Sequence, residues 1–209
     1  VLPANTQNRC GGGALSAAYP QEVGDLAHAN GISLHLDGAR IFNAAAALGV
    51  PASQLAAPAD SVTFCLSKGL CAPVGSVLCG SHDFIHRAHR VRKQLGGGMR
   101  QAGVLAAAGI VALESMVERL AQDHTHARML AEGLGRLPGI VLDPGTPYTN
   151  MVFLSLKEGN APDVAQHLAR QGVRVGVVGA RRFRLVTHYW IDDAAVERAV
   201  AAFATAIML

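Results

Sequence analysis

The stretch Ile32-Ser33-Leu34-His35-Leu36-Asp37-Gly38-Ala39-Arg40 decides the fold. Its alternating apolar residues fit a short strand ending at Asp37, and a helical run from Glu22 to Asn30, closed by Gly31, precedes it. Ala39 to Leu48 reads as a second helix, stopped by Gly49-Val50-Pro51. Ser61-Val62-Thr63-Phe64-Cys65-Leu66 is almost continuously apolar and predicts a strand ending at Ser67-Lys68-Gly69, and Val74 to Cys79 predicts a third. Apolar strands that alternate with helices require a sheet covered on both faces. The first eighty residues or so are therefore expected to be α/β, with a mainly parallel sheet between helices.

From Ser81 the pattern turns helical: a basic stretch through Arg92 and Lys93, a glycine hinge at Gly96-Gly97-Gly98, then a helical connector from Gln101 to Leu137. The unbroken apolar run from Ala102 to Leu113 falls short of the ~20 residues that span a bilayer, and it is predicted to be a buried core helix. Leu120, Leu130, Leu134 and Leu137 form a stripe along Met116 to Leu137, a surface on which another subunit could pack. Beyond Gly139, strand signals at Met151–Leu156, Val173–Val175 and Phe183–Val186, with helices at Pro162–Gln171 and Asp192–Ile207, predict a small α+β domain. No repeat or low-complexity linker interrupts the chain, and the expected division is residues 1–115 and 116–209.

Composition narrows the function. Of 209 residues half are hydrophobic, and 18 basic against 15 acidic side chains leave +3, which excludes disorder and gives no basic face dense enough for nucleic acid. A small-molecule partner is expected. Cys10, Cys65, Cys71 and Cys79 lie in or beside apolar runs without a CxxC pair, so they read as reduced core thiols of a cytosolic protein. Histidine spacing (His86 with His89, His124 with His126) does not assemble a metal site.

Asp37 stands at a strand's C-terminal end, where open α/β sheets present ligand-binding groups. Its carboxylate can hold a protonated ring nitrogen or a ribose hydroxyl, and Arg40 returns to the same side; the alternative is a helix-capping aspartate beside a surface arginine. Lys68 follows an apolar strand, so its ammonium is expected to emerge from a low-dielectric wall that favours the neutral, nucleophilic amine. The alternative is a lysine that snorkels from a strand end. A strand-end carboxylate with a strand-end amine about thirty residues later fits pyridoxal phosphate, whose aldehyde needs an amine and whose pyridinium needs an acid.

The segments His35-Leu36-Asp37-Gly38-Ala39-Arg40-Ile41-Phe42-Asn43, Leu66-Ser67-Lys68-Gly69-Leu70, Ala72-Pro73-Val74-Gly75-Ser76, Gly96-Gly97-Gly98-Met99-Arg100-Gln101 and Arg184-Leu185-Val186-Thr187-His188 together resemble the low-specificity L-threonine aldolases. The resemblance implies the aspartate-aminotransferase-like fold (fold type I), with residues 1–115 as part of its large cofactor-binding domain. It implies that Lys68 binds the cofactor's aldehyde, that Asp37 holds the pyridine nitrogen, and that Arg40 lies beside cofactor and substrate carboxylate. By the same resemblance Arg184 binds that carboxylate, and Lys93 and Arg100 reach the cofactor phosphate across a subunit interface of a dimer or tetramer. The implied reaction is cleavage of L-threonine or L-allo-threonine to glycine and acetaldehyde.

Three departures accompany the resemblance. Ala4-Asn5-Thr6-Gln7-Asn8 stands where the family reads Glu-Asn-Thr-His-Asn, so Gln7 replaces a histidine beside the substrate hydroxyl, and glutamine cannot take a proton. Cys71 occupies a position usually held by glycine and is expected to be a tolerated packing change. The family's N-terminal phosphate loop and stacking aromatic have no counterpart here, which suggests a fragment. The alternatives are thus a catalytically incomplete remnant serving as a structural or interaction module, or a related pyridoxal-phosphate lyase that eliminates at the β-carbon.

Overall fold

The computed structural model describes residues 1–8 and 10–208, and the chain divides into two compact units. Residues 1–6 and 14–120 form the first; residues 7–13 and 121–209 form the second. In the first unit the order is α1 (Ala18–Ala29), β1 (His35–Asp37), α2 (Ile41–Leu48), α3 (Ala52–Ala56), β2 (Ser61–Cys65), β3 (Ser76–Gly80), α4 (His82–Gln94) and α5 (Gly103–Ser115). β1 pairs with β2 in parallel, His35 opposite Ser61 and Asp37 opposite Thr63, and Ala4 adds a parallel bridge to Asp37. β3 closes the sheet antiparallel to β2, so the pairing is mixed, with the parallel pair at the position the sequence indicates.

Two apolar clusters hold this unit. Leu36, Ile41, Ala44, Ala45 and Leu55 pack α2 and α3 under β1, and Leu66, Leu70, Ala72, Ala112 and Leu120 form the second. Phe42 and Phe64 meet edge to face, centroids 5.4 Å apart, and join α2 to β2. The apolar run that makes up most of α5 corrects an expectation. Only Gly109 and Ala112 are buried, while Val104, Ile110 and Val111 are more than half exposed. Uniform hydrophobicity carries no periodicity, so it could not report which face packs. The cysteines correct another: all four are free, Cys10 and Cys79 are exposed, Cys65 and Cys71 are half-buried, and none is a core thiol.

The connector is two helices rather than one, because residues 116–119 break it between α5 and α6 (Leu120–Gly135). The second unit continues with β4 (Ile140–Leu142), β5 (Met151–Leu156), α7 (Ala161–Arg170), β6 (Gly176–Val177), β7 (Arg182–Val186) and α8 (Asp193–Ala206). Its sheet is antiparallel throughout, in the order β4-β5-β7-β6. Phe183 and Leu185 alternate inward along β7, and Phe183 meets Phe203 of α8 edge to face at 5.6 Å. Full burial of one such ring contributes about 1.5–3 kcal/mol. Leu130 and Leu134 belong to this core, and Leu120 is buried in the first unit, so the leucine stripe is consumed internally rather than offered to another subunit. Among the described residues no helix is long and apolar enough to cross a membrane.

Asp123 and His124 are buried at the start of α6, where Thr187 Oγ1 donates to the Asp123 carbonyl at 2.6 Å. Burial holds the His124 imidazole below its ordinary value of 6.5, an effect that the Asp123 charge opposes and the Arg128 charge reinforces. The unfolded chain therefore takes up this proton at a higher pH than the native one does, and stability is lost as pH falls through the unfolded value. Thermal melts from about pH 7.5 to about pH 5 should show a falling midpoint for the native chain and a shallower fall for His124→Gln.

Candidate active site

In the first unit the Asp37 N–H donates to the Pro3 carbonyl and its carbonyl accepts from the Asn5 N–H, each at 2.9 Å, which fixes the side of the strand end that faces residues 3–5. Gly38 then donates to the Thr63 carbonyl of β2 at 2.8 Å. A Cβ at Gly38 would stand 3.1 Å from that oxygen and 3.1 Å from the Ile41 Cβ, so the bare backbone permits the close approach. The turn leaves the Asp37 carboxylate exposed, with Oδ1 accepting from the Ala39 N–H at 3.0 Å. Arg40 is half-buried at the N-cap of α2 and its carbonyl accepts from the Ala44 N–H at 3.1 Å.

Lys68 lies in the turn that follows β2, closed by the Cys71 N–H donating to the Lys68 carbonyl at 2.9 Å. Buried Leu66 and Leu70 flank it, but the lysine is exposed and its amine makes no hydrogen bond or ion pair among the described residues. The low-dielectric enclosure expected of its amine is absent from the first unit: the strand's apolar side chains point into the core while the turn lifts Lys68 away. Asp37 and Lys68 nevertheless belong to the C-terminal ends of the adjacent parallel strands β1 and β2. Cys71 has φ +59°, left-handed backbone that costs a residue with a Cβ about 1 kcal/mol, so its position does more than fill space.

Lys93 lies in the last turn of α4, which buries none of its residues. Gly96 donates to the Lys93 carbonyl at 3.2 Å and Gly97 to the Arg92 carbonyl at 2.9 Å, a Schellman stop with Gly96 at φ +83°. The predicted hinge is thus a helix cap. A Cβ on Gly98 would lie 2.5 Å from Lys93 Cδ, so the chain doubles back along the lysine stem. His89, Arg90, Arg92, Lys93, Gln94 and Gly98 line a groove of about 480 Å³ there, and exposed Arg100 follows the helix cap in sequence.

The second unit holds Arg184 and Gln7. Arg184 sits on β7 opposite Phe153 of β5 and Gly176 of β6, half-buried, and its Nη1 donates to Asn8 Oδ1 at 2.8 Å. Its Nε–H is buried without a partner among the described residues, a charged donor that an anion would satisfy. Gln7 is exposed, and its carbonyl accepts from the N–H groups of Cys10 at 3.3 Å and Gly12 at 3.1 Å.

The sequence model of the beta-eliminating lyase family matches residues 1–158. The chain belongs to that family. It is 44% identical over 207 residues to low-specificity L-threonine aldolase 1 of Arabidopsis thaliana, covering 98% of this chain and 58% of the relative. To the low specificity L-threonine aldolase of Escherichia coli (strain K12) it is 43% identical over 184 residues, covering 88% of this chain and 53% of the relative. The chain therefore spans just over half the length of these curated relatives. Among solved structures the threonine aldolase of Leishmania major superposes with a TM-score of 0.78 at 20% identity, over 99% of this chain and 60% of that one. The fold of this beta-eliminating lyase family member is the aspartate-aminotransferase-like α/β fold that the sequence implies.

Sequence reasoning did not single out two of these contacts. His35 is held by Ser61 Oγ at 2.8 Å and Thr63 Oγ1 at 3.2 Å on the facing strand, and period-two alternation gives no hint of that cross-strand bond. Asn8 meets Arg184 across a separation of 176 residues, which no local pattern encodes. The tightness at Gly38 generates a test. Gly38→Ala should lower stability by about 1–3 kcal/mol, read from thermal melting, because the Thr63 backbone cannot retreat.

Proposed function

We propose that this protein uses pyridoxal phosphate to cleave β-hydroxy-α-amino acids such as L-threonine and L-allo-threonine into glycine and an aldehyde. The observation that carries the reading is the placement of Asp37 and Lys68 at the same ends of two adjacent parallel strands, within a chain that belongs to the beta-eliminating lyase family. Two groups fit the cofactor, an exposed amine with no partner among the described residues and an exposed carboxylate, and the Arg184 Nε–H, buried without an acceptor among the described residues, suits the substrate carboxylate. Residues 1–115 serve as the C-terminal part of the large cofactor domain, and 116–209 as connector helix and small domain.

When bound, the cofactor supplies an aldehyde for the amino group and an electron-poor ring that takes up the electron pair of the breaking Cα–Cβ bond. Lys68 Nζ would be the nucleophilic amine that holds the cofactor's aldehyde carbon. Asp37 would accept a hydrogen bond from the ring nitrogen and hold the proton there, which would keep the ring an electron acceptor. Arg184 and Arg40 bind the substrate carboxylate, and a planar fork fixes its orientation better than an ammonium would. That orientation would select which of the bonds at Cα is activated. The β-hydroxyl loses its proton to become the aldehyde, and Cα gains one to become glycine. Gln7 can hold the hydroxyl by a hydrogen bond but cannot accept its proton, so another group must serve as base.

Lys93 and Arg100 bind the cofactor phosphate of a neighbouring chain in a cytosolic homo-oligomer, a dimer or tetramer. A second reading, β-elimination with release of ammonia and an oxo-acid, is favoured by the family's description and uses the same groups. Product analysis with L-threonine separates the two: glycine with acetaldehyde supports cleavage, and ammonia with an oxo-acid supports elimination.

Incubation with pyridoxal phosphate and reduction with borohydride should place a stable label on the peptide that contains Lys68, and Lys68→Arg should abolish it. A label elsewhere, or none, overturns the assignment and leaves the structural-module alternative. Arg100→Ala should weaken cofactor retention roughly tenfold by removing a charge-assisted phosphate contact, read by dialysis and absorbance; unchanged retention rejects the shared phosphate site.

A further inference from the structure

We infer that Asn8 is a positioning residue for Arg184: it fixes the guanidinium so that a substrate carboxylate meets donors already aimed at it. The inference rests on the carboxylate-binding role proposed for Arg184 and deepens it. A guanidinium presents five donors in one rigid plane, so engaging one of them orients the rest. Asn8 Oδ1 engages Nη1 at 2.8 Å. The Nε–H, which shares its edge of the fork with Nη2, stays buried and unpaired. Leaving a buried charged donor unmet is costly, and the cost is recovered when an anion supplies the acceptor.

The identity of the side chain matters as much as its place. Asparagine offers a neutral carbonyl oxygen, so it orients the guanidinium and leaves the full positive charge for the ligand. An aspartate in its place would give the same acceptor geometry but would pair with that charge. Both ends of the contact are anchored within the second unit. The segment that carries Asn8 is folded onto itself by the Gln7 carbonyl, and buried Thr149 Oγ1 donates to the Gly12 carbonyl at 2.9 Å. Arg184 projects from a strand paired on both sides. The geometry is therefore set before any ligand arrives, which is how a carboxylate is held without a further ordering cost.

The test follows Arg184 itself in the full chain labelled with ¹⁵N-arginine, its Nε–H signal assigned by its loss in Arg184→Lys. Glycine is the probe, titrated while signal position and heteronuclear relaxation are recorded, with melting midpoints measured alongside. The native signal should be ordered and should shift with glycine. Asn8→Ala should lose that order and bind glycine about tenfold more weakly. Asn8→Asp should keep the order and still bind about tenfold more weakly, because its charge competes with the carboxylate. A purely structural role would move the melting midpoint and leave both Arg184 readouts alone, which overturns the inference. If Asn8→Ala does not fold, Asn8→Asp decides by itself: ordered and weaker upholds the inference, and unchanged affinity overturns it. If the native Arg184 signal ignores glycine, the carboxylate-binding role fails and takes the inference with it; if it responds but neither variant alters it, the inference alone fails.

Discussion

The parallel pairing of β1 with β2 is the constraint on which the first unit depends. One hydrogen bond past the end of β1, from the Gly38 N–H to the Thr63 carbonyl, pulls the chain against its neighbour before it turns into α2. Because parallel strands run the same way, both deliver their loops at one edge of the sheet, and the groups that follow, Asp37 with Arg40 and Lys68, share that edge. An antiparallel pair would send them to opposite ends. The acid and the amine on which the proposed chemistry relies are thus brought to one edge by strand direction, reinforced by the two bonds that tie Asp37 to Pro3 and Asn5.

The second unit answers a different requirement. Its antiparallel sheet is covered by α7 and α8 on the face that Phe183 and Leu185 occupy, so alternation along β7 turns Arg182 and Arg184 to the other face. There each arginine finds a polar partner: Arg182 pairs with Asp143 and stacks over the Phe153 ring at 5.2 Å, while Arg184 bonds to Asn8. The difference lies in what is left over, because of the two it is Arg184 that keeps a buried donor without an acceptor among the described residues. That asymmetry between two neighbouring arginines of one strand is what the carboxylate-binding role proposed for Arg184 rests on.

Residues at strand ends and helix caps were legible because their signals are local. The Asp37-Gly38 turn, the Lys68 turn and the stops at Gly31 and Gly49 lie where the sequence places them, within a residue or two. Signals without periodicity misled. The apolar run of α5 looked like core because hydrophobicity measures preference for burial, not the presence of a partner, and most of its large side chains are exposed. The predicted strand at Val173–Val175 is displaced to Gly176–Val177, since β-branched residues mark extended chain but not register. The Gly96-Gly97-Gly98 run reads as flexibility in sequence, yet it forms a hydrogen-bonded cap.

The sequence by itself determined the alternation of strand and helix, the apolar faces that bury Leu36 and Phe183, and the residue types able to hold an aldehyde, a ring nitrogen and a carboxylate. These are properties of side chains and of their near neighbours, and short-range periodicity records them. The tertiary structure alone decided that Lys68 stands exposed rather than walled in, that the leucine stripe is used internally, and that Asn8 holds Arg184. Each of those depends on which distant segment comes to lie alongside, and that choice follows from the packing of whole elements rather than from any window of the chain.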